Sequence, residues 1–250
     1  MPVFIASLQN ELFKLRKRKK YTVLLVIASA ICVLSGLRGI VVNAISGMDF
    51  DRAALLGGLT LSHMTFFLQI FLPLMAIMAA CDLFPVEFHD RTIRACLMRP
   101  VGRGKLYFSK VTAVFVLCAF DLAVLFVVTA VTQLVLGGTA EGIGTGLAAC
   151  LLDLVPLAVL ICFLCCLDQL LRGPSLAVLI GVVAYVGLLA IGLYVGGAGG
   201  MLFTGYLKWH NLWIGTALPF FAMLPRIGLL VGYGLVFACC GHLLFERREC

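Results

Sequence analysis

Apolar residues in this chain run in long unbroken stretches and do not alternate with polar ones at the period of a strand. Six stretches reach the roughly 20 mostly apolar residues that a helix needs to cross a bilayer: Tyr21–Ala44, Leu59–Leu83, Leu106–Leu136, Ile143–Leu167, Ser175–Gly196 and Arg226–Phe245. Helical periodicity with a polar face precedes the first of them. There Phe4, Leu8, Leu12 and Leu15 share one side and Glu11, Lys14 and Arg18 another, which predicts an amphipathic interfacial helix over residues 1–20. The expected fold is an all-α polytopic membrane protein in which that helix leads into a single six-span domain over 21–250.

Composition supports this pattern. With 62% hydrophobic and 12% charged residues in 250, the apolar surface exceeds what one soluble core could hide. The net charge of +7 would suit a nucleic-acid binder, but its distribution argues otherwise. Lys14 to Lys20, the basic residues between Arg91 and Lys110, and Arg172, Arg247 and Arg248 all fall on one side of a six-span chain, leaving Arg38, Arg52, Lys208 and Arg226 elsewhere. That asymmetry predicts both termini on the cytoplasmic side of a cell membrane, a bacterial inner membrane being expected, with the basic residues holding topology and meeting anionic lipid. No nucleic-acid partner is expected. Ala28-Ser29-Ala30 resembles a signal-peptide cleavage site, but the apolar run continues past it and five more spans follow, so the first span is read as retained.

The outer connections 48–58 and 137–142 are short. The third, 197–225, carries Lys208, Trp209, His210, Asn211 and Trp213. A seventh span there would strand Lys208 at mid-depth and move Arg247 and Arg248 to the wrong side, so it is expected to be a re-entrant segment of two short helices with its aromatic residues in an interfacial belt. The eleven cysteines lie mostly in spans; even the cluster Cys162, Cys165, Cys166 has no histidine beside it and reads as small residues packing between helices. No metal site or disulfide is expected. Gly142 with Gly146, Gly192 with Gly196 and Gly228 with Gly232 have the spacing of close helix contacts, either within the chain or between subunits.

One charged island interrupts the apolar runs, Asp82 to Lys110, DLFPVEFHDRTIRACLMRPVGRGKLYFSK. Glu87 with Arg91 and Asp90 with Arg94 are spaced i,i+4 with the acid first, Pro85 suits a first helical turn, and Pro100, Gly102 and Gly104 end the element. This predicts a short helix over about 85–99.

The island and its flanks resemble the permease subunits of type 2 ATP-binding cassette (ABC-2) exporters, through Glu87, Thr92, Ile93, Arg94, Leu97, Pro100, Arg103, Lys105 and Lys110, and through the opening Glu11-Leu12-Phe13-Lys14-Leu15. Arg91 stands where that family often has glycine. The resemblance implies that 85–99 is a cytoplasmic coupling helix between spans two and three, docking a separate ATP-binding subunit through Glu87, Arg91 and Arg94. It implies two permease subunits, identical or related. This chain lacks a P-loop, since Gly104-Lys105-Leu106 has neither the upstream glycines nor the hydroxyl. ATP and magnesium therefore belong to the partner, and no catalytic residue or cofactor is expected here. The implied function is export of a lipid, an amphipathic peptide or another membrane-active compound.

Arg38, Asp121 and Asp153 fall within spans, where an unpaired charge is costly. Arg38 and Asp121 lie at similar depth and are read either as an ion pair joining spans one and three or as a polar patch on the translocation path. His63 reads as interfacial and Asp168 as solvated. Asp121 and Asp153 also admit a proton-coupled carrier as the alternative function. An intramembrane enzyme is the weaker alternative, since the four histidines show no convergent spacing.

Overall fold

A computed structural model of the chain describes residues 2–46, 59–90, 92, 102–136, 142–171, 173–195, 200–213 and 220–248. Helix α1 (Pro2–Lys17) meets α2 (Lys19–Ser46) at Arg18; α3 (Leu59–Phe66) passes through a π-helical turn, Phe67–Phe71, into α4 (Leu72–Leu83), and α5 (Pro85–His89) follows. Beyond residues 93–101 come α6 (Arg103–Val135), α7 (Ile143–Leu170), α8 (Pro174–Tyr194) and α9 (Phe220–Arg247), with two short 3₁₀ helices, Phe203–Tyr206 and Trp209–Leu212, ahead of α9. There is no strand among the described residues, and six helical segments are long and apolar enough to cross a membrane. Of the expected coupling helix only Pro85–His89 is a described helix; residues 93–99 lie outside the described residues.

Local sequence explains these elements. Past Gly104, α6 contains neither glycine nor proline, so its hydrogen-bond ladder continues for about 50 Å, longer than a ~30 Å hydrocarbon layer. At the head of α7, Gly142 adopts φ 89°, a left-handed conformation that costs glycine nothing and other residues a Cβ clash. Helix α9 begins at Phe220, ahead of the expected Arg226, with Pro225 inside it.

Span two, α3 with α4, is the centre of the packing. Met64, Leu68, Leu72, Met75, Ala76, Ala79 and Ala80 are all fully buried. The outward faces of α2, α8 and α9 instead show Val26 and Leu34, Leu179 and Val183, and Leu235 and Val236, the surface a lipid-facing helix presents. Small residues let neighbours close on span two: a Cβ on Gly146 would lie 2.9 Å from Thr60 Cγ2, and one on Gly181 would lie 3.0 Å from Ile77 Cγ2. Among the described residues nothing lies within 4 Å of such a Cβ on Gly228 or Gly232, so that pair makes no close contact with them.

The π turn has an identifiable cause. Pro73 has no N–H to return to the carbonyl of Gln69, and the ladder shifts register just ahead of it, with Leu72 N–H bonding Phe67 O. The Gln69 carbonyl is satisfied from outside the helix, by the Tyr185 hydroxyl of α8 at 2.6 Å. Tyr185→Phe is expected to strand that carbonyl in an apolar surround and destabilise the fold by about 1–3 kcal/mol. A lowered denaturation temperature of the detergent-solubilised protein is the readout.

Candidate functional site

The charged island is organised around α5. Pro85 opens α5, and the chain bends at Phe84, which has φ −114° and ψ −79°. This bend turns Glu87 back into the protein. Its carboxylate accepts from Lys110 Nζ of α6 at 2.8 Å and from Lys14 Nζ of α1 at 2.9 Å. Lys110 also lies 3.3 Å from Glu11, and Lys14 donates to both oxygens of Glu11 at 3.1 and 3.2 Å. Two ammonium groups and two carboxylates thus balance in a cluster where Lys110 is 0% exposed and Glu11 1%. Such burial is tolerable only because each charge is paired and hydrogen-bonded. Burial works against the charge on Lys14, but Glu87 and Glu11 outweigh it and raise its pKa above 10.5.

Two further contacts complete a clamp around α5. At the α1–α2 break, Arg18 and Lys20 reach Asp82 at 2.8 and 2.7 Å, and the Tyr21 hydroxyl donates to the same carboxylate. At the far end of the chain, the Arg248 guanidinium sits 3.9 Å from the centre of the Phe88 ring and donates to the carbonyls of Leu171 and Asp168 at 2.6 and 3.3 Å. Phe84, Phe88, Tyr107 and Phe245 pack ring on ring between these contacts. What α5 leaves outward is its end, the exposed pair His89 and Asp90, 3.2 Å apart.

The predicted site residues fare differently. Glu87, expected to face a partner, is turned inward and held by Lys14 and Lys110, because the bend at Phe84 points it at α6. Glu11, expected on the polar side of an interfacial helix, is buried with it. Arg91 and Arg94 lie outside the described residues, as does the side chain of Arg38, whose backbone is helical in α2. Asp121 is buried in α6, and its Oδ2 has no hydrogen-bond partner among the described residues. Asp153 accepts the His210 backbone N–H at 2.8 Å and meets the ring Nδ1 at 2.5 Å, both residues being almost wholly buried. This tie fastens the segment 200–213 to α7.

Phe203, Tyr206 and Trp209 accordingly turn inward, not into an interfacial belt. Asp168, expected to be solvated, is 4% exposed because the end of α9 covers it. His63 is half-buried and 2.6 Å from the Ser35 hydroxyl of α2. No three His, Cys, Asp or Glu side chains converge as metal ligands among the described residues. Sequence reasoning missed Asp82 and His210. For His210 a signal existed: buried Asp153 demanded a donor, and the polar run at Lys208–Asn211 could supply one.

Lys110→Met, which leaves Glu87 and Glu11 facing each other without their buried cation, is expected to destabilise the protein by about 3–5 kcal/mol. Proteolysis ahead of Tyr21 should accelerate at the same time. Lys14→Met, at a half-exposed position, should cost less than about 1 kcal/mol. The sign of the Lys14 shift puts its contribution in place at neutral pH, with loss only as pH rises past 10.5 toward its raised pKa. Thermal scans across alkaline pH check this.

A family model described as ABC-2 family transporter protein matches residues 7–187, a stretch containing the clamp residues from Glu11 to Lys110, four of the six candidate spans whole and most of the fifth. Comparison with curated proteins gives no match. Matched over most of its length, this multi-pass chain belongs to the ABC-2 family of transporter membrane proteins.

Proposed function

We propose that this ABC transporter permease subunit exports a lipid, an amphipathic peptide or another membrane-active compound, driven by ATP hydrolysed with magnesium in a separate subunit docked on the segment beginning at Pro85. The family supports the permease role and, in general, an ATP-binding partner. The observation that carries the coupling reading is the clamp. A short helix held by the buried Lys110–Glu87–Glu11 cluster, by Arg248 and by an aromatic floor passes force to α4 and α6 instead of dissipating it. In this reading Glu87 is a positioning residue, while Asp90, Arg91 and Arg94 meet the ATP-binding subunit.

The functional unit contains a second permease subunit, identical or related, and sits in a cell membrane with both termini cytoplasmic. Arg38 and Asp121 either pair or line the path. Asp153 serves the tie to His210, which leaves the proton-relay alternative with less to stand on.

Coexpression with the ATP-binding subunit and reconstitution in vesicles tests the proposal. Removing ATP while a proton gradient is maintained should stop transport; transport persisting under those conditions would make the chain a proton-coupled carrier. Arg94→Glu should leave ATP hydrolysis running while transport falls at least about tenfold, an uncoupling that a purely solvated arginine would not produce.

A further inference from the structure

On the face of the membrane domain opposite the clamp, segment 200–213 and the first turns of α9 border an open cavity of about 500 Å³, within the range of small-molecule sites. Two cations from separate elements line it, Lys208 and Arg226, together with Asn211, Tyr206, Leu212 and Leu229. No acidic residue lines it among the described residues. The acidic group that the segment does contact, Asp153, is taken by His210. The Tyr206 hydroxyl donates to the Gly200 carbonyl, so the Lys208 ammonium, the Arg226 guanidinium and the Asn211 amide remain as the donors on the wall. Lys208 and Arg226 are both partly exposed at this chamber with no carboxylate between them among the described residues, and a phosphate offers oxygens to all three donors.

A second feature identifies the rest of the ligand. Arg226 and Leu230 are spaced i,i+4 and share a face of α9, one turn apart in depth. At Leu230 begins an apolar groove of about 320 Å³ between α6, α7 and α9, lined by Phe115, Leu154, Val155, Val159 and Val231. The chamber borders α9 at Pro225, Arg226 and Leu229 and the groove borders it at Leu230 and Val231, so a molecule with its phosphate head at Arg226 has an apolar groove within one turn along α9 for a hydrocarbon tail.

We propose that this cavity binds the headgroup of a phosphate-bearing membrane lipid through Lys208, Arg226 and Asn211, with an acyl chain passing along α9 to the groove at Leu230. Two cations match a phosphate monoester, which carries between one and two negative charges at neutral pH. The site acts whether or not transport is driven by ATP.

The full chain in detergent, without nucleotide or partner, is titrated with short-chain phosphatidic acid, with phosphatidylcholine of the same chains and with inorganic phosphate. Phosphatidic acid should bind most tightly, with Lys208→Gln and Arg226→Gln each weakening it about tenfold or more, the worth of a charge-assisted hydrogen bond. Lys208→Arg and Arg226→Lys should retain most of the affinity, which separates lost charge from lost folding. Ala158→Phe, which fills the groove, should weaken phosphatidic acid and leave phosphate unaffected. Equal binding of phosphatidylcholine, or unchanged binding in both glutamine variants, overturns the proposal. Phosphate binding as tightly as the lipid reassigns the chamber to a free anion and overturns the role of the groove.

Discussion

The pairing of Lys110 with Glu87 and Glu11 is the constraint on which the inner architecture rests. A lysine with no solvent access cannot keep its charge in a bundle of apolar helices unless carboxylates are delivered to it. Glu11 arrives on α1 and Glu87 on α5. Three segments far apart in the chain are thereby brought to one point. The position of α1 across α6, the bend at Phe84 and the inward turn of α5 follow from meeting that demand together. Asp82 repeats the arrangement at the α1–α2 break with Arg18 and Lys20, so the N-terminal helix is held at two places.

The opposite half of the molecule follows the same rule with a different pair. Asp153 is wholly buried in α7, and instead of a charged residue on a neighbouring span it receives a histidine from the connection between α8 and α9. That connection is drawn against α7, with Phe203 packed against Phe163 and Phe237. Polar contacts fix where each peripheral segment lies; apolar packing around span two fills the space between.

The six spans were readable because length and apolarity suffice to mark them, and neither depends on what the helices touch. The family resemblance was readable from a handful of charged and turn residues in the island. Orientation was not. The i,i+4 spacing of Glu87 with Arg91 reads as a helix whose charges serve one another, whereas the carboxylate pairs with Lys110, 23 positions on, and with Lys14, 73 positions back. Neither separation leaves a periodic trace. Asp153 and His210 lie 57 positions apart and were hidden for the same reason. Asp168 misled because a loop-end aspartate before DQLLRGP looks wet until the last turn of α9 is laid over it.

The π turn in span two has a mechanical consequence. From Phe84 back to Pro73 the backbone hydrogen bonds make one stiff rod of roughly 17 Å. At Pro73 the ladder changes register, and the carbonyl that would have bridged the joint is held by Tyr185 of another helix. An axial push entering at the α5 end therefore travels within one element only as far as that joint. Beyond it, stiffness is shared between two helices through the Tyr185 phenol, and span five sets how far span two behaves as one lever or as two.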